Sequence, residues 1–431
     1  MPVSEVHAEP AQRLARRMAW MTLLVLTGIN LLNYLDRYVL SALVTELEHA
    51  PADGGLGLTS AEAGWLYSGF IMVYMCASPI FGALADRFSR GRLLGFGVAL
   101  WSVATAAGAL AGGFGTLLLS RVWTGVGEAA YATVAPSVLA DHFDEKKRSR
   151  ALAVFNSAIP VGAALGFVTA GLVLQYAGWR EALLVAGAPG LILALVFVWL
   201  PEPRRGAADA PRKGAARSAP DFRKSLGILR RPPFLLCSLG YAAQTAGFGA
   251  LGFWAPSYLE HGKGMSNSQA TTTFGLLIVT TGFIGSIGGG CLGDWWRARN
   301  PNGLLLTCIW STLLAIPGIL LSILAHNPVL VWAGLALGSV ALVASVGPVN
   351  SQLVNLLDAR ERATGMALAI LVLHLFGDVP SVPFVGWLED HASFDVAFGF
   401  IPLVLLVAAG LWGLALRAGG NPASVQTPVH Q

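Results

Sequence analysis

The 431-residue chain is 55% apolar and 12% charged, with a mean hydropathy of +0.62. A soluble domain carries about 25% charged residues, so no long stretch is polar enough to fold in water. A net charge of +4 held mostly in loops excludes a nucleic-acid binder.

A membrane-spanning helix needs about 20 mainly apolar residues. In chain order such runs occupy 19–47, 60–85, 92–112, 115–140, 149–175 and 181–200. After a polar stretch come 233–259, 268–292, 303–325, 328–355, 362–388 and 394–417. The expected fold is therefore an all-α polytopic membrane protein, twelve helices in two similar halves. Residues 1–18 form an N-terminal arm, 19–200 the first six-helix bundle and 201–232 a Pro-, Gly-, Ala- and Arg-rich linker. Residues 233–417 form the second bundle and 418–431 a tail. The first apolar run is too long for a signal peptide and lacks a clear cleavage site, so it is read as a span. Cys76, Cys237, Cys291 and Cys308 all lie in apolar runs and read as small buried side chains, not a disulfide framework.

Basic residues orient the bundle. Of 28 Lys and Arg, 24 fall on one side: the arm, the linker, the tail and the loops after even-numbered helices. The opposite side holds Arg180 and Lys263, and Arg37 and Arg121 lie inside spans. The positive-inside rule then predicts cytoplasmic termini and a cytoplasmic linker.

The halves repeat. Gly82-Ala-Leu-Ala-Asp86-Arg87-Phe88 after the second helix matches Gly290-Cys-Leu-Gly-Asp294-Trp295 after the eighth, at an offset of 208. Asp144-Glu-Lys-Lys-Arg148 after the fourth matches Asp358-Ala-Arg-Glu-Arg362 after the tenth, at an offset of 214. Such a repeat places a substrate path between the halves near mid-membrane. Small-residue faces at Pro160, Gly162 and Gly166, and at Gly285 and Gly289, predict close helix packing.

Ionisable residues inside spans cost about 2.5–3.5 kcal/mol each on insertion scales and call for a reason. Asn33-Tyr-Leu-Asp36-Arg37-Tyr38 puts a carboxylate and a guanidinium in the first helix, Asp36 roughly 24 Å beyond Trp20 at 1.5 Å per residue. Neighbours on a helix point about 100° apart, so these two seek partners on other helices or face a cavity. The fourth helix adds Arg121 and Glu128, seven residues apart and on one face, with Gly125 and Gly127 thinning the helix beside them. Burial and a neighbouring guanidinium act in opposite senses on the proton affinity of such a carboxylate, which suits it to bind and release a proton. Fixed interhelical pairing and direct anion binding by an arginine are the alternatives. His374 and Asp378 share a face of the eleventh helix and serve either as a polar relay or as a structural contact that breaks the helix before Pro380 and Pro383. No second His or Cys stands at ligand spacing, so no metal site is expected. No phosphate loop, dinucleotide fingerprint or nucleophile with its base appears, so neither an enzyme nor a cofactor is expected.

The run from Gly82 to Arg92 resembles the signature loop of the major facilitator superfamily, with Ser89 where glycine is usual. That resemblance implies a cytoplasmic gating motif at Gly82, Asp86, Arg87, Arg90 and, in the second half, Asp294. Asn30-Leu-Leu-Asn-Tyr-Leu-Asp-Arg-Tyr38, Gly125-Val-Gly-Glu-Ala-Ala-Tyr131, Ala158-Ile-Pro-Val-Gly162 and His374-Leu-Phe-Gly-Asp378 closely resemble the spinster family of lysolipid and sphingolipid transporters. The resemblance implies proton coupling at Glu128 and Asp36, with Arg37 and Arg121 as head-group or charge partners. It further implies a monomeric inner-membrane carrier of bacterial type whose partners are protons, membrane lipids and a lipid-like or organic-anion substrate. A symporter for a small organic anion, and a passive scramblase or sensor, are the rival expectations.

Overall fold

The computed structural model describes residues 3–199, 227–358 and 361–419. Most of the linker and of the C-terminal tail lie outside the described residues. Backbone N–H and C=O groups find no water in a bilayer core, so a spanning segment closes its hydrogen bonds within itself, and helix is the result. The described residues form twelve long helices: α1 (Val3–Glu48), α2 (Ser60–Arg87), α3 (Arg90–Gly108), α4 (Phe114–His142), α5 (Glu145–Val173) and α6 (Trp179–Trp199). There follow α7 (Pro232–Ser257), α8 (Asn267–Arg297), α9 (Gly303–Leu324) and α10 (Pro328–Asn355). The eleventh, α11, comprises Arg362–Leu373 and Val379–His391 joined by a π-helical turn, and α12 is Phe394–Arg417.

Local chemistry marks the helix starts. Asp144 caps α5 by accepting from the Lys147 amide at 3.0 Å, and Asn327 caps α10, with Pro328 at its first position. The residues of the N-terminal arm that are described continue α1 without a break. Ten helices are long and apolar enough to cross a membrane. The other two, α3 and α4, carry the polar load: α3 begins with Arg90 and Arg92, and α4 contains Arg121 and Glu128.

The expected break before Pro380 does not occur. The helix widens through one π turn at His374–Asp378 and continues through Pro383 to His391. A π turn absorbs one extra residue and leaves a backbone carbonyl free of a partner, which is what a helix needs where proline supplies no N–H. Of the cysteines, Cys237 and Cys308 are buried as expected; Cys76 and Cys291 are exposed on helix surfaces.

Contacts divide the chain into two units, one of residues 1–40 and 69–216, the other of residues 41–68 and 217–431. In the first, α3 packs on α4 and α6 around Leu23, Leu26, Val98, Trp101, Tyr131 and Phe155. In the second, α9 packs on α10 and α12 on α7, around Phe234, Cys237, Leu305, Val349 and Trp412. The second unit also takes in the end of α1 and the start of α2. There Ser41 Oγ donates to the Phe253 carbonyl (2.6 Å), Ser68 Oγ donates to the Val379 carbonyl (2.6 Å), and Asp390 accepts from the Ser60 and Ala61 amides (2.8 and 2.9 Å). Asp390 thus caps α2 from the end of α11, a carboxylate at the positive end of a helix dipole.

The predicted small-residue faces are where backbones meet. A Cβ on Gly162 would lie 2.5 Å from the Leu31 carbonyl oxygen and one on Gly166 would lie 2.6 Å from that of Leu35, so α5 lies directly on α1.

Candidate functional site

Asp36 and Arg37 diverge from α1 as adjacent helical residues must, and both reach α4. Arg37 Nη2 lies 2.6 Å from Glu128 Oε2. Asp36 Oδ1 lies 3.7 Å from Arg121 Nη1, an ion pair too long for a hydrogen bond. The pairing is crossed: each helix supplies one acid and one base, and each acid meets the base of the other helix. Arg121 and Glu128, two turns apart on α4, set the separation of the two pairs.

The surroundings are dry and aromatic. Asp36 is 1% exposed, Arg121 1% and Glu128 0%, while the Arg37 side chain is 16% exposed. Arg37 is therefore the one member of the four with an open edge. Its guanidinium lies 4.9 Å from the Tyr34 ring centre, 5.0 Å from Phe70 and 5.3 Å from Tyr74, and Arg121 shares Phe70 at 5.5 Å. Ring faces stabilise a cation without neutralising it, about 2 kcal/mol or more for each contact away from water. Thr105 on α3 donates to Asp36 Oδ2 at 2.7 Å and lies 3.2 Å from the Thr124 hydroxyl.

Glycine brings these helices together. A Cβ on Gly125 would lie 2.7 Å from the Phe70 carbonyl oxygen of α2, and one on Gly127 would lie 2.6 Å from the Trp101 amide nitrogen of α3. The two glycines flanking Glu128 are thus the points at which α2 and α3 close on α4, and α2 brings Phe70 and Tyr74 onto Arg37. Hydrogen bonding in the cluster is incomplete: Asp36 Oδ1, Glu128 Oε1, Arg121 Nη1 and Nε, and Arg37 Nε are buried without a hydrogen-bond partner among the described residues. Unfilled capacity in a buried polar network points to a group that binds there.

The structure brings together Asp36, Arg37, Arg121 and Glu128. It places His374 and Asp378 in the second unit, where His374 Nδ1 lies 3.0 Å from both carboxylate oxygens and the Tyr67 hydroxyl donates to Oδ2 at 3.2 Å. Of the residues expected to form a gating motif, Arg90 is buried and reaches Asp141 at 2.5 Å, tying the start of α3 to the end of α4. Asp86, Arg87 and Asp294 are exposed, and Gly82 is half-buried against Thr133. Thr105, Thr124, Tyr34, Phe70, Tyr74, Tyr67 and Asp141 are contributors that the sequence reading missed. Asp141 had a detectable signal, a carboxylate at the end of α4, two helices on from the start of α3; the neutral residues had none.

Comparison with known proteins gives the family. Residues 26–379 match the model of the Major Facilitator Superfamily. Human spinster homolog 1 is 32% identical over 389 residues, which cover 85% of this chain and 72% of that protein. The mouse sphingosine-1-phosphate transporter SPNS2 is 32% identical over 378 residues, 84% of this chain and 68% of that one. Drosophila melanogaster protein spinster is 31% identical over 87% of this chain, which spans 62% of the fly protein. A solved bacterial homologue of the human lysosomal transporter spinster, inward-facing and unoccupied, aligns with a TM-score of 0.84 over 96% of this chain and 99% of that one, at 22% identity. The chain belongs to the major facilitator superfamily, a class of membrane transporters and not of enzymes, and within it to the spinster family.

Proposed function

We propose that the chain is a proton-coupled secondary transporter that moves an amphiphilic organic solute with an anionic head, a lysophospholipid or sphingolipid-like molecule, by alternating access. We place it in a bacterial inner membrane with both termini cytoplasmic. The observation that carries the reading is the crossed pairing. Two carboxylates and two guanidiniums make a buried set with no net charge. A proton on Glu128 leaves Arg37 uncompensated, and Arg37 is the member with an open edge and a cation-stabilising aromatic wall. An anionic head then restores neutrality. Proton binding and anion binding favour each other, and the coupling is reciprocal.

Asp36 and Arg121 act as the second proton and charge pair on this reading, with Thr105 holding Asp36 in place. Such a set also drives access. A ligand shifts a two-state equilibrium only by its different affinity for the two states, and a buried charge whose partner has been neutralised is the kind of difference that one access state can relieve by hydration. The gating motif at Gly82, Asp86, Arg87, Arg90 and Asp294 would stabilise one of these states, and His374 with Asp378 and Tyr67 would supply a polar relay in the second unit. The lipid class is supported by the name of the mouse relative, a transporter of a phosphorylated amphiphile.

The test is uptake into proteoliposomes under an imposed pH gradient, with labelled lysophospholipid, sphingosine phosphate or a small aromatic acid in parallel arms. Glu128→Gln is expected to remove gradient-driven accumulation while leaving expression and monodispersity intact. Undiminished accumulation in that variant would end the coupling assignment. Transport of the small acid alone would replace the lipid class, and transport indifferent to the gradient in the native chain would favour a passive scramblase.

A further inference from the structure

A cavity stands apart from the charge cluster, in the first unit, where α1, the end of α4 and the start of α5 meet. Its volume is about 440 Å³, and its walls combine the apolar Ala19, Trp20, Phe143, Ala151 and Val154 with the polar His142, Asp144, Lys147 and Arg150. The size lies within the ~300–1,000 Å³ of ordinary ligand sites. What distinguishes it is its level. The apolar spans of α1 and α5 begin at Arg17 and Arg150. Ala19, Trp20 and Val154 therefore lie just inside the apolar zone, while Asp144 and Lys147 lie just outside it. The cavity straddles the boundary between hydrocarbon and head groups.

Its chemistry is split in the same way. Trp20 is half exposed and meets Phe143 edge-on, with ring centres 5.7 Å apart, the posture of an interfacial aromatic. Among the described wall residues Lys147 and Arg150 are cations and Asp144 is the carboxylate; Asp144 is already engaged as the α5 cap and lies 3.3 Å from Lys147 Nζ. His142 Nε2 is buried at the cavity wall with no hydrogen-bond partner among the described residues. An apolar wall that continues into the bilayer, beneath a cationic rim with an unfilled ring nitrogen, matches one occupant. The geometry points to a binding site for an anionic membrane phospholipid, its phosphate between Lys147 and Arg150 and its first acyl methylenes against Trp20 and Val154. Basic pockets between spans on the cytoplasmic side hold anionic head groups by the same chemistry. The site differs from the transported amphiphile's: it uses none of Asp36, Arg37, Arg121 or Glu128. Its cytoplasmic placement rests on the proposed topology, but its binding chemistry does not.

The experiment is native mass spectrometry of the full-length chain in detergent, titrated with phosphatidylglycerol and, separately, with phosphatidylcholine. One phosphatidylglycerol is expected to be retained at least about tenfold more strongly than phosphatidylcholine. In Lys147→Ala/Arg150→Ala that preference is expected to vanish. Val154→Trp, which fills the apolar wall and leaves every charge in place, is expected to weaken both lipids. Equal retention of the two lipids by the native chain, or an unchanged preference in the double variant, overturns the site. Glycerol phosphate displacing phosphatidylglycerol at equal concentration also overturns it, since the apolar wall would then contribute nothing. Both variants keep the Glu128 machinery, so gradient-driven uptake checks that they are folded.

Discussion

The two halves of the chain solve one packing problem in two ways. The first helix of each half meets the fourth, and the repeat offsets align them: 208 carries Asp36 to Gln244 on α7, and 214 carries Arg121 to Leu335 and Glu128 to Leu342 on α10. The helix starts respect the second offset, since α4 begins at Phe114 and α10 at Pro328. In the first half this junction holds two ion pairs. In the second the described residues hold only neutral hydrogen bonds, from Gln244 Nε2 to the Leu342 carbonyl at 2.9 Å and from Asn350 Nδ2 to the Tyr241 hydroxyl at 3.3 Å. Helices of this fold therefore close on each other without charge. The Asp36–Arg121 and Arg37–Glu128 pairs are not the price of packing, and buried pairs are in any case weak stabilisers against apolar replacements.

That contrast is most sharply broken by making the first half copy the second. Removing one partner of a buried pair leaves the other uncompensated, and Arg121→Leu alone is expected to cost about 3–5 kcal/mol. Adding Asp36→Gln, the residue at the repeat position, is expected to restore most of that stability while leaving gradient-driven transport absent. Thermal unfolding in detergent and uptake by the same preparations are the measurements. A double variant as unstable as the single would make the charges structural, and one that still accumulates substrate against a gradient would remove Asp36 and Arg121 from the mechanism.

The reverse probe is milder. Gln244→Leu removes a buried hydrogen bond but leaves the Leu342 carbonyl on its own helix, so the expected loss is about 1–2 kcal/mol, near the range for one unmade bond. Transport and its dependence on the gradient should be retained. A loss of coupling in this variant would mean that the neutral junction takes part, and the asymmetry between halves would fall with it.

How much of this was legible follows from what a membrane does to sequence. Spans such as 303–325 and 394–417 agree with α9 and α12 to within a residue, because twenty apolar residues in a row have few other uses. The four intramembrane charges were equally visible, each being costly enough to need a reason. Their partners were not. Asp36 and Arg37 are adjacent in sequence and end on different side chains of α4, a matter of helix phase and neighbours. Phe70, Tyr74 and Thr105 sit in apolar runs where nothing separates a wall residue from a lipid-facing one. Pro380 and Pro383 misled for a physical reason: proline does remove a hydrogen bond, but a π turn had already loosened the helix before it. The grouping of residues 41–68 with the second unit was also out of reach, since it depends on Ser41, Ser60 and Ser68 meeting helices more than 200 residues away.

The smallest expected effect separates the halves once more, at their charged helix ends. Arg90 and Asp141 form a pair whose side chains are 5% and 11% exposed; Arg231 and Glu361 form one whose side chains are 44% and 34% exposed. The second has the better geometry, two parallel bonds of 2.7 and 2.9 Å, and these hold the Arg231 guanidinium proton more firmly than usual. Geometry and burial therefore predict opposite rankings. Solvent screening decides between them: an exposed pair contributes about 0.2–1 kcal/mol at most, and salt reduces it further within a Debye length of about 8 Å. Arg231→Ala is thus expected to shift unfolding barely, and less still at high salt, whereas Arg90→Ala leaves Asp141 with a buried charge and should be felt at any ionic strength. A salt-independent loss in Arg231→Ala equal to that in Arg90→Ala would show that the second unit is held at this end by charge after all.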